Sequence, residues 1–191
     1  YSQAKTNSVT NEYIQIYNDI AKNSVDSNIS VKPTHIGLDI SMDLALENFK
    51  ILINKASESS NFLRIDMESS INTDSTFKIY DDLFKIYPKV GVVLQAYLKR
   101  SIADIEKLAG PGFNARICKG IYKENKNIAY QDPEDISKNF LAMAKAMLAK
   151  NSYACYATHD LQLIDDLVSL TKEMDADTSK FEFQVLYGVP M

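Results

Sequence analysis

Tryptophan is absent from the 191 residues, and glycine (6), proline (5), cysteine (2) and histidine (2) are all scarce. Two cysteines cannot build a disulfide framework, so Cys118 and Cys155, each within a short apolar run, read as buried free thiols of a reducing cytoplasm. His35 and His159 have no Cys or His neighbours at ligand spacing, so no metal site is expected. Basic residues do not exceed acidic ones: 21 against 25 gives a net charge of −4, too little positive field to gather nucleic acid or anionic lipid. No run approaches the ~18 unbroken apolar residues that a membrane span needs, and no secretory leader opens the chain, so a soluble protein is expected. What is plentiful is hydrophobic material, 46% of the residues with eleven tyrosines, which excludes disorder and supplies one substantial core.

Short apolar runs alternate with longer stretches of helical periodicity. Strands are predicted over 28–34, 61–67, 90–97, 115–122, 153–158 and 181–187, most of them apolar throughout, as parallel strands covered on both faces are. Between them Ala45, Phe49, Leu52, Ile53 and Ala56 share one helical face. Ile136, Phe140, Met143, Ala144, Met147 and Leu148 share another, and Leu161, Ile164, Leu167, Val168, Thr171 and Met174 a third. Asp132 with Pro133 has the form of a cap followed by a first-turn proline, Pro88 closes a helix, and Gly110, Pro111 and Gly112 mark a loop. A further amphipathic helix within residues 1–27, with Tyr13, Ile16, Tyr17 and Ile20 on one side, is expected to pack outside the sheet. Strand starts recur about every thirty residues with no linker, which implies one domain over 1–191. Six βα steps without a glycine-rich dinucleotide fingerprint favour a (βα) barrel over an open doubly wound sheet, and a full barrel needs eight units and roughly 250 residues.

Barrel active sites lie at the carboxyl ends of the strands. Every predicted strand carries polar residues there: Lys32; Asp66 and Glu68; Gln95 and Tyr97; Lys119 and Tyr122; Thr158 and His159; Gln184. A single such residue is most often half of a solvated ion pair, but six strands doing the same is a pattern. Arg116 stands inside its strand between Ala115 and Ile117, where it needs an anionic partner.

These residues fall in segments that resemble successive motifs of proline dehydrogenase: Arg64-Ile65-Asp66-Met67-Glu68, Val93 to Arg100, Arg116-Ile117-Cys118-Lys119-Gly120-Ile121-Tyr122, Ala157-Thr158-His159-Asp160 and Phe183 to Gly188. Order and spacing match from about Ile29 onward. The resemblance implies an α/β fold, a (βα)8 TIM-type barrel of which about six units are present. It also implies an FAD-dependent oxidoreductase of proline catabolism that converts L-proline to 1-pyrroline-5-carboxylate and passes electrons to a membrane quinone. By that resemblance Arg116 lies beside the hydride-accepting flavin nitrogen. Lys119, Gly120 and Ile121 follow the ribityl and pyrophosphate, Gln95 meets the isoalloxazine edge, Thr158 and His159 meet the phosphate and adenosine end, and Met67 adds a contact. Lys32 helps to hold the substrate carboxylate, Asp66 lies close to the substrate, and Tyr122 and Leu186 pack on the pyrrolidine ring. The implied location is the cytoplasm, with a peripheral contact at the inner membrane face left open.

The family also carries two adjacent arginines and a glutamate in its last helix, and these have no counterpart here, because arginine occurs only at 64, 100 and 116. The chain is therefore expected to be a C-terminally incomplete barrel, or one completed by another chain. Two alternatives remain: a flavin-free enzyme using Lys32 or Lys119 as a Schiff-base nucleophile in aldolase-like chemistry, and a noncatalytic truncated barrel.

Overall fold

The computed structural model describes residues 2–189. Its elements alternate as expected: α1 (Gln3–Lys22), β1 (Ile29–Val31), α2 (Met42–Glu58), β2 (Leu63–Ile65), α3 (Thr73–Phe84), β3 (Val90–Gln95), α4 (Ser101–Leu108), β4 (Asn114–Cys118), α5 (Pro133–Ala149), β5 (Tyr153–Ala157), α6 (Leu161–Glu173) and β6 (Phe181–Gln184). The strand order follows the chain, with β1 and β6 at its ends. The fold is α/β with parallel strands, as β-to-β crossovers through helices produce. The chain divides into two compact units, Tyr1–Val92 and Val93–Met191.

In the first unit β1, β2 and the start of β3 pair in parallel, Val31 with Ile65 and Ile65 with Val92. Val31, Leu63, Ile65, Val90 and Val92 are fully buried. The face foreseen for α2, from Ala45 to Ala56, is buried against them, and removal of each large side chain from water contributes about 1.5–3 kcal/mol. Ser41 caps α2 by accepting from the Leu44 amide at 3.1 Å. Arg64, in the middle of β2, is buried with its guanidinium donating to the Val92 carbonyl at 3.0 Å and lying over the Phe62 ring.

Helix α1 packs against α2 with part of the stripe expected of it, Tyr17 buried and Tyr13 and Ile20 half-buried, joined by two threonines. Thr6, Thr10 and Tyr17 are buried, whereas Ile16 is exposed. The threonine hydroxyls donate back to the Ser2 and Thr6 carbonyls one turn earlier, so their polarity is satisfied within the helix and they can be buried like small apolar residues.

In the second unit β4 pairs with β5 from Asn114–Tyr153 to Cys118–Ala157, and β5 with β6. Asp132 caps α5 by accepting from the Glu134 amide at 2.8 Å, and Phe140, Met143, Ala144 and Met147 are buried beneath. Phe140, Phe181 and Phe183 pack around the fully buried ring of Tyr156. Helix α6 buries Leu163, Leu167 and Thr171, and Leu161 is exposed: as the first helical residue after the Asp160 cap it precedes the turn that faces the sheet.

The strands are shorter than predicted, and not all of them are buried on both faces. β2 and β3 are buried throughout, but β4 alternates. Ala115 and Ile117 are fully buried, while Arg116 and Cys118 face the other way and are half-buried. Cys118 is thus not the buried thiol expected, although both cysteines are free and Cys155 is buried.

Candidate active site at the strand ends

Because the strands are short, most of the polar residues assigned to their ends stand in the loops just beyond. Each loop is held by hydrogen bonds within its own unit.

In the first unit, Asp66 continues the β1–β2 ladder through its amide, which donates to the Val31 carbonyl at 2.9 Å, and its carboxylate accepts the Ser30 hydroxyl at 2.7 Å. Met67 and Glu68 are buried. Glu68 accepts from both the amide (2.9 Å) and the hydroxyl (2.7 Å) of Thr34. Lys32 is exposed and is the capping residue of a one-turn 3-10 helix, Pro33–Ile36.

In the second unit a cavity of about 670 Å³ opens at the carboxyl ends of β4, β5 and β6. Of the residues predicted for the site, it brings together Arg116, Thr158, His159 and Leu186, and it adds Cys118 and Gln184. Arg116 Nε donates to Gln184 Oε1 at 2.7 Å, an arrangement that fixes the plane of the guanidinium. His159 Nε2 accepts from the Leu186 amide at 2.8 Å, which assigns the ring proton to Nδ1. That Nδ1 is buried and makes no hydrogen bond among the described residues. A buried donor in a cavity wall costs free energy unless something accepts from it.

Gln95, Lys119, Gly120, Ile121 and Tyr122 do not line this cavity. Gln95 is buried at the end of β3, and Ile121 is exposed. Lys119 Nζ pairs with Asp160 Oδ2 at 2.5 Å, both side chains about one-third exposed, while Asp160 Oδ1 caps α6 through the Leu163 amide. The Lys119 ammonium, and after it the Leu163 amide, hold the Asp160 carboxyl below the usual carboxylate range. Gly120 adopts φ +106°, and a Cβ there would stand 2.2 Å from the ring of Tyr97. Only glycine fits both that backbone and that neighbour. Tyr97 is itself buried, which raises its phenol well above its ordinary value, and its amide donates to the Lys119 carbonyl at 2.9 Å. Tyr122 is half-buried.

Sequence reasoning assigned no role to Ser30, Thr34, Asp160 or Cys118. Asp160 had a readable signal, a capping residue before an apolar periodic run. Ser30 and Thr34 had none, because their partners lie more than thirty residues away.

Among the described residues no group of three His, Cys, Asp or Glu side chains is placed to hold a metal ion, and no helix is long and apolar enough to cross a membrane.

The sequence matches the family model for proline dehydrogenase over residues 1–190. It is 38% identical over 180 residues to proline dehydrogenase 2 of Bacillus subtilis (strain 168), covering 94% of this chain and 59% of that protein. It is 31% identical over 193 residues to proline dehydrogenase of Deinococcus radiodurans, covering 98% of this chain and 62% of the relative. The chain thus spans about three-fifths of the length of the curated relatives it matches. Among solved structures, proline utilization A (PutA) from Bdellovibrio bacteriovorus inactivated by N-propargylglycine superposes with a TM-score of 0.87 at 19% identity, over 98% of this chain and 24% of that one. At that identity the likeness concerns the fold, the TIM-barrel type of that protein's proline dehydrogenase domain.

Proposed function

The chain belongs to the proline dehydrogenase family, and from that premise we propose that the whole protein oxidises L-proline to 1-pyrroline-5-carboxylate, with FAD as resident cofactor and a quinone as electron acceptor. The observation that carries this reading is Arg116: a cation inside a strand, turned away from the core into a cavity at the strand ends and oriented by Gln184. A flavin fits the residues present. The buried Nδ1–H of His159 offers a donor to an acceptor group in the cavity that Arg116 also lines.

When bound, FAD would accept a hydride from the ring carbon beside the proline amine. Arg116 supplies a fixed positive charge where negative charge grows as that transfer proceeds, and because Gln184 already orients it, little reorganisation is needed. Thr158 and His159 hold the phosphate and adenosine end, Lys119 with Gly120 and Ile121 the ribityl and pyrophosphate, and Gln95 and Met67 complete the cofactor contacts. Lys32, exposed after β1, meets the substrate carboxylate. Asp66 orders the charges around the substrate, and Tyr122 and Leu186 give the ring an apolar wall. The fold reading extends the six strands to an eight-unit barrel with residues 1–27 packed on it. A cytoplasmic location with a peripheral contact at the quinone-bearing membrane belongs to the same proposal.

The lysine-nucleophile alternative finds no support in the geometry. Lys119 stands beside the Asp160 carboxylate at about one-third exposure, and Lys32 is exposed to water, whereas a Schiff-base lysine needs a desolvated or cation-flanked setting. The full-length protein, purified and scanned in the visible, should be yellow and should bleach when proline is added without oxygen. A colourless protein that borohydride links to a carbonyl substrate would replace the flavin reading with the lysine one.

A further inference from the structure

Glu68 is a buried carboxylate close to the proposed site that has no assigned part in binding or catalysis. Glu68 is 7% exposed and follows Asp66 by two residues in the loop after β2. Its two oxygens divide their work: Oε2 accepts from the Thr34 amide at 2.9 Å and Oε1 from the Thr34 hydroxyl at 2.7 Å. Thr34 is the second residue of the one-turn helix Pro33–Ile36, and the residue capping that helix is Lys32, whose own side chain makes no cap bond. The service a capping side chain usually performs, accepting from the second or third amide of the turn, is therefore performed from a distance by Glu68. Pro33 fixes its own φ and restricts the residue before it, so once Thr34 is clamped the backbone of Lys32 has little freedom left.

We infer that Glu68 is a positioning residue for Lys32: by clamping Thr34 it sets the direction in which the lysine leaves the end of β1 and so tunes affinity for the substrate carboxylate. This inference rests on the proposed role of Lys32. A charge-assisted double contact in a buried setting is stronger than a neutral one and specifies geometry as well as energy. An exposed lysine side chain otherwise samples many rotamers, and its contribution to binding falls with the fraction of time it points at the ligand.

The test uses full-length, flavin-loaded protein and steady-state kinetics with proline. Lys32→Met, Glu68→Ala and Thr34→Val should each raise KM, by about tenfold for Lys32→Met and about three- to tenfold for the other two, with kcat within about twofold of the parent. Thr34→Ser, which keeps the hydroxyl, should restore the parent KM. Combining Glu68→Ala with Lys32→Met should raise KM no further than Lys32→Met alone, because the two act along one path. A merely structural Glu68 would lower the melting temperature and leave KM unmoved. If Glu68→Ala does not fold, Thr34→Val against Thr34→Ser decides the matter. A raised KM in Lys32→Met with parent KM in Glu68→Ala and Thr34→Val overturns the positioning role while sparing that of Lys32. An unchanged KM in Lys32→Met itself removes the carboxylate role of Lys32, and the inference with it.

Discussion

The two units finish their strand ends in different ways. In the first, carboxylates beyond β2 are met by hydroxyls from the β1 side, Ser30 on Asp66 and Thr34 on Glu68, in contacts that are partly or wholly buried. In the second, cations stand at or near open space: Arg116 in a cavity wall beside Gln184, and Lys119 one-third exposed beside Asp160. Buried charge-assisted hydrogen bonds contribute to stability because leaving either partner alone is costly, whereas exposed pairs contribute little and remain available to a ligand. The first arrangement serves as a frame and the second as a place to bind. Substitutions at the frame should therefore lower stability, and substitutions at the cavity should alter function at nearly constant stability.

The largest stability effect should come from a loop in the second unit that is itself tightly packed beyond its strand, at Gly120. Gly120→Ala puts a Cβ into the ring of buried Tyr97 at a backbone angle that L residues avoid, and it should cost about 2–4 kcal/mol in denaturant unfolding. Gly110→Ala, where a Cβ would meet nothing within 4 Å, should stay within about 0.5 kcal/mol. Equal costs at the two glycines would mean that the Tyr97 contact does not fix the loop.

Next in size is Ser30→Ala, which removes a donor to a carboxylate at the end of the frame and should cost about 1–2 kcal/mol. Arg116→Met, by contrast, should unfold at nearly the parent denaturant concentration. A reversal of these two would erase the distinction between frame and cavity.

The smallest effect concerns pH. Lys119 holds the Asp160 carboxyl below its ordinary value, so the unfolded chain takes up the proton first as pH falls. The stabilisation is complete above the ordinary carboxylate range of about 4 and disappears as pH drops through the lower folded value. Thermal melts of the parent and Asp160→Asn should differ by less than about 1 kcal/mol near neutrality and converge in strong acid. A gap that widens on acidification would contradict the pairing.

The order of elements, the buried faces of α2 and α5 and the Asp132 cap were all legible in the sequence, because each depends on near neighbours and on a single period. So was the peculiarity of Arg116 as a charge between two apolar strand residues, though not the side it faces or its amide partner Gln184. Strand lengths were not legible: apolar residues continue past the last strand residue, as Met67 and Tyr97 do, and local pattern cannot say where a strand stops. Tyr17 of α1 was legible, but the rest of its buried face was hidden because its threonines look polar until their hydroxyls are seen to close on their own helix. Leu161 misled because a cap displaces the first apolar residue from the stripe. Glu68 was visible as a strand-end carboxylate, but its partner Thr34 lies 34 residues earlier and only the β1–β2 register brings them together.

Under the proposed function, Lys32 beside the frame helps to hold the substrate carboxylate and Arg116 in the cavity serves flavin reduction. Anaerobic stopped-flow reduction of the full-length flavoprotein over a range of proline concentrations tests it directly, with Lys32→Met and Arg116→Met beside the parent. Arg116→Met should lower the limiting rate of flavin reduction by about a hundredfold or more with half-saturation little changed, and Lys32→Met should raise the half-saturating concentration with the limiting rate little changed. Reduction of Arg116→Met at the parent rate with equal flavin content would contradict the claim.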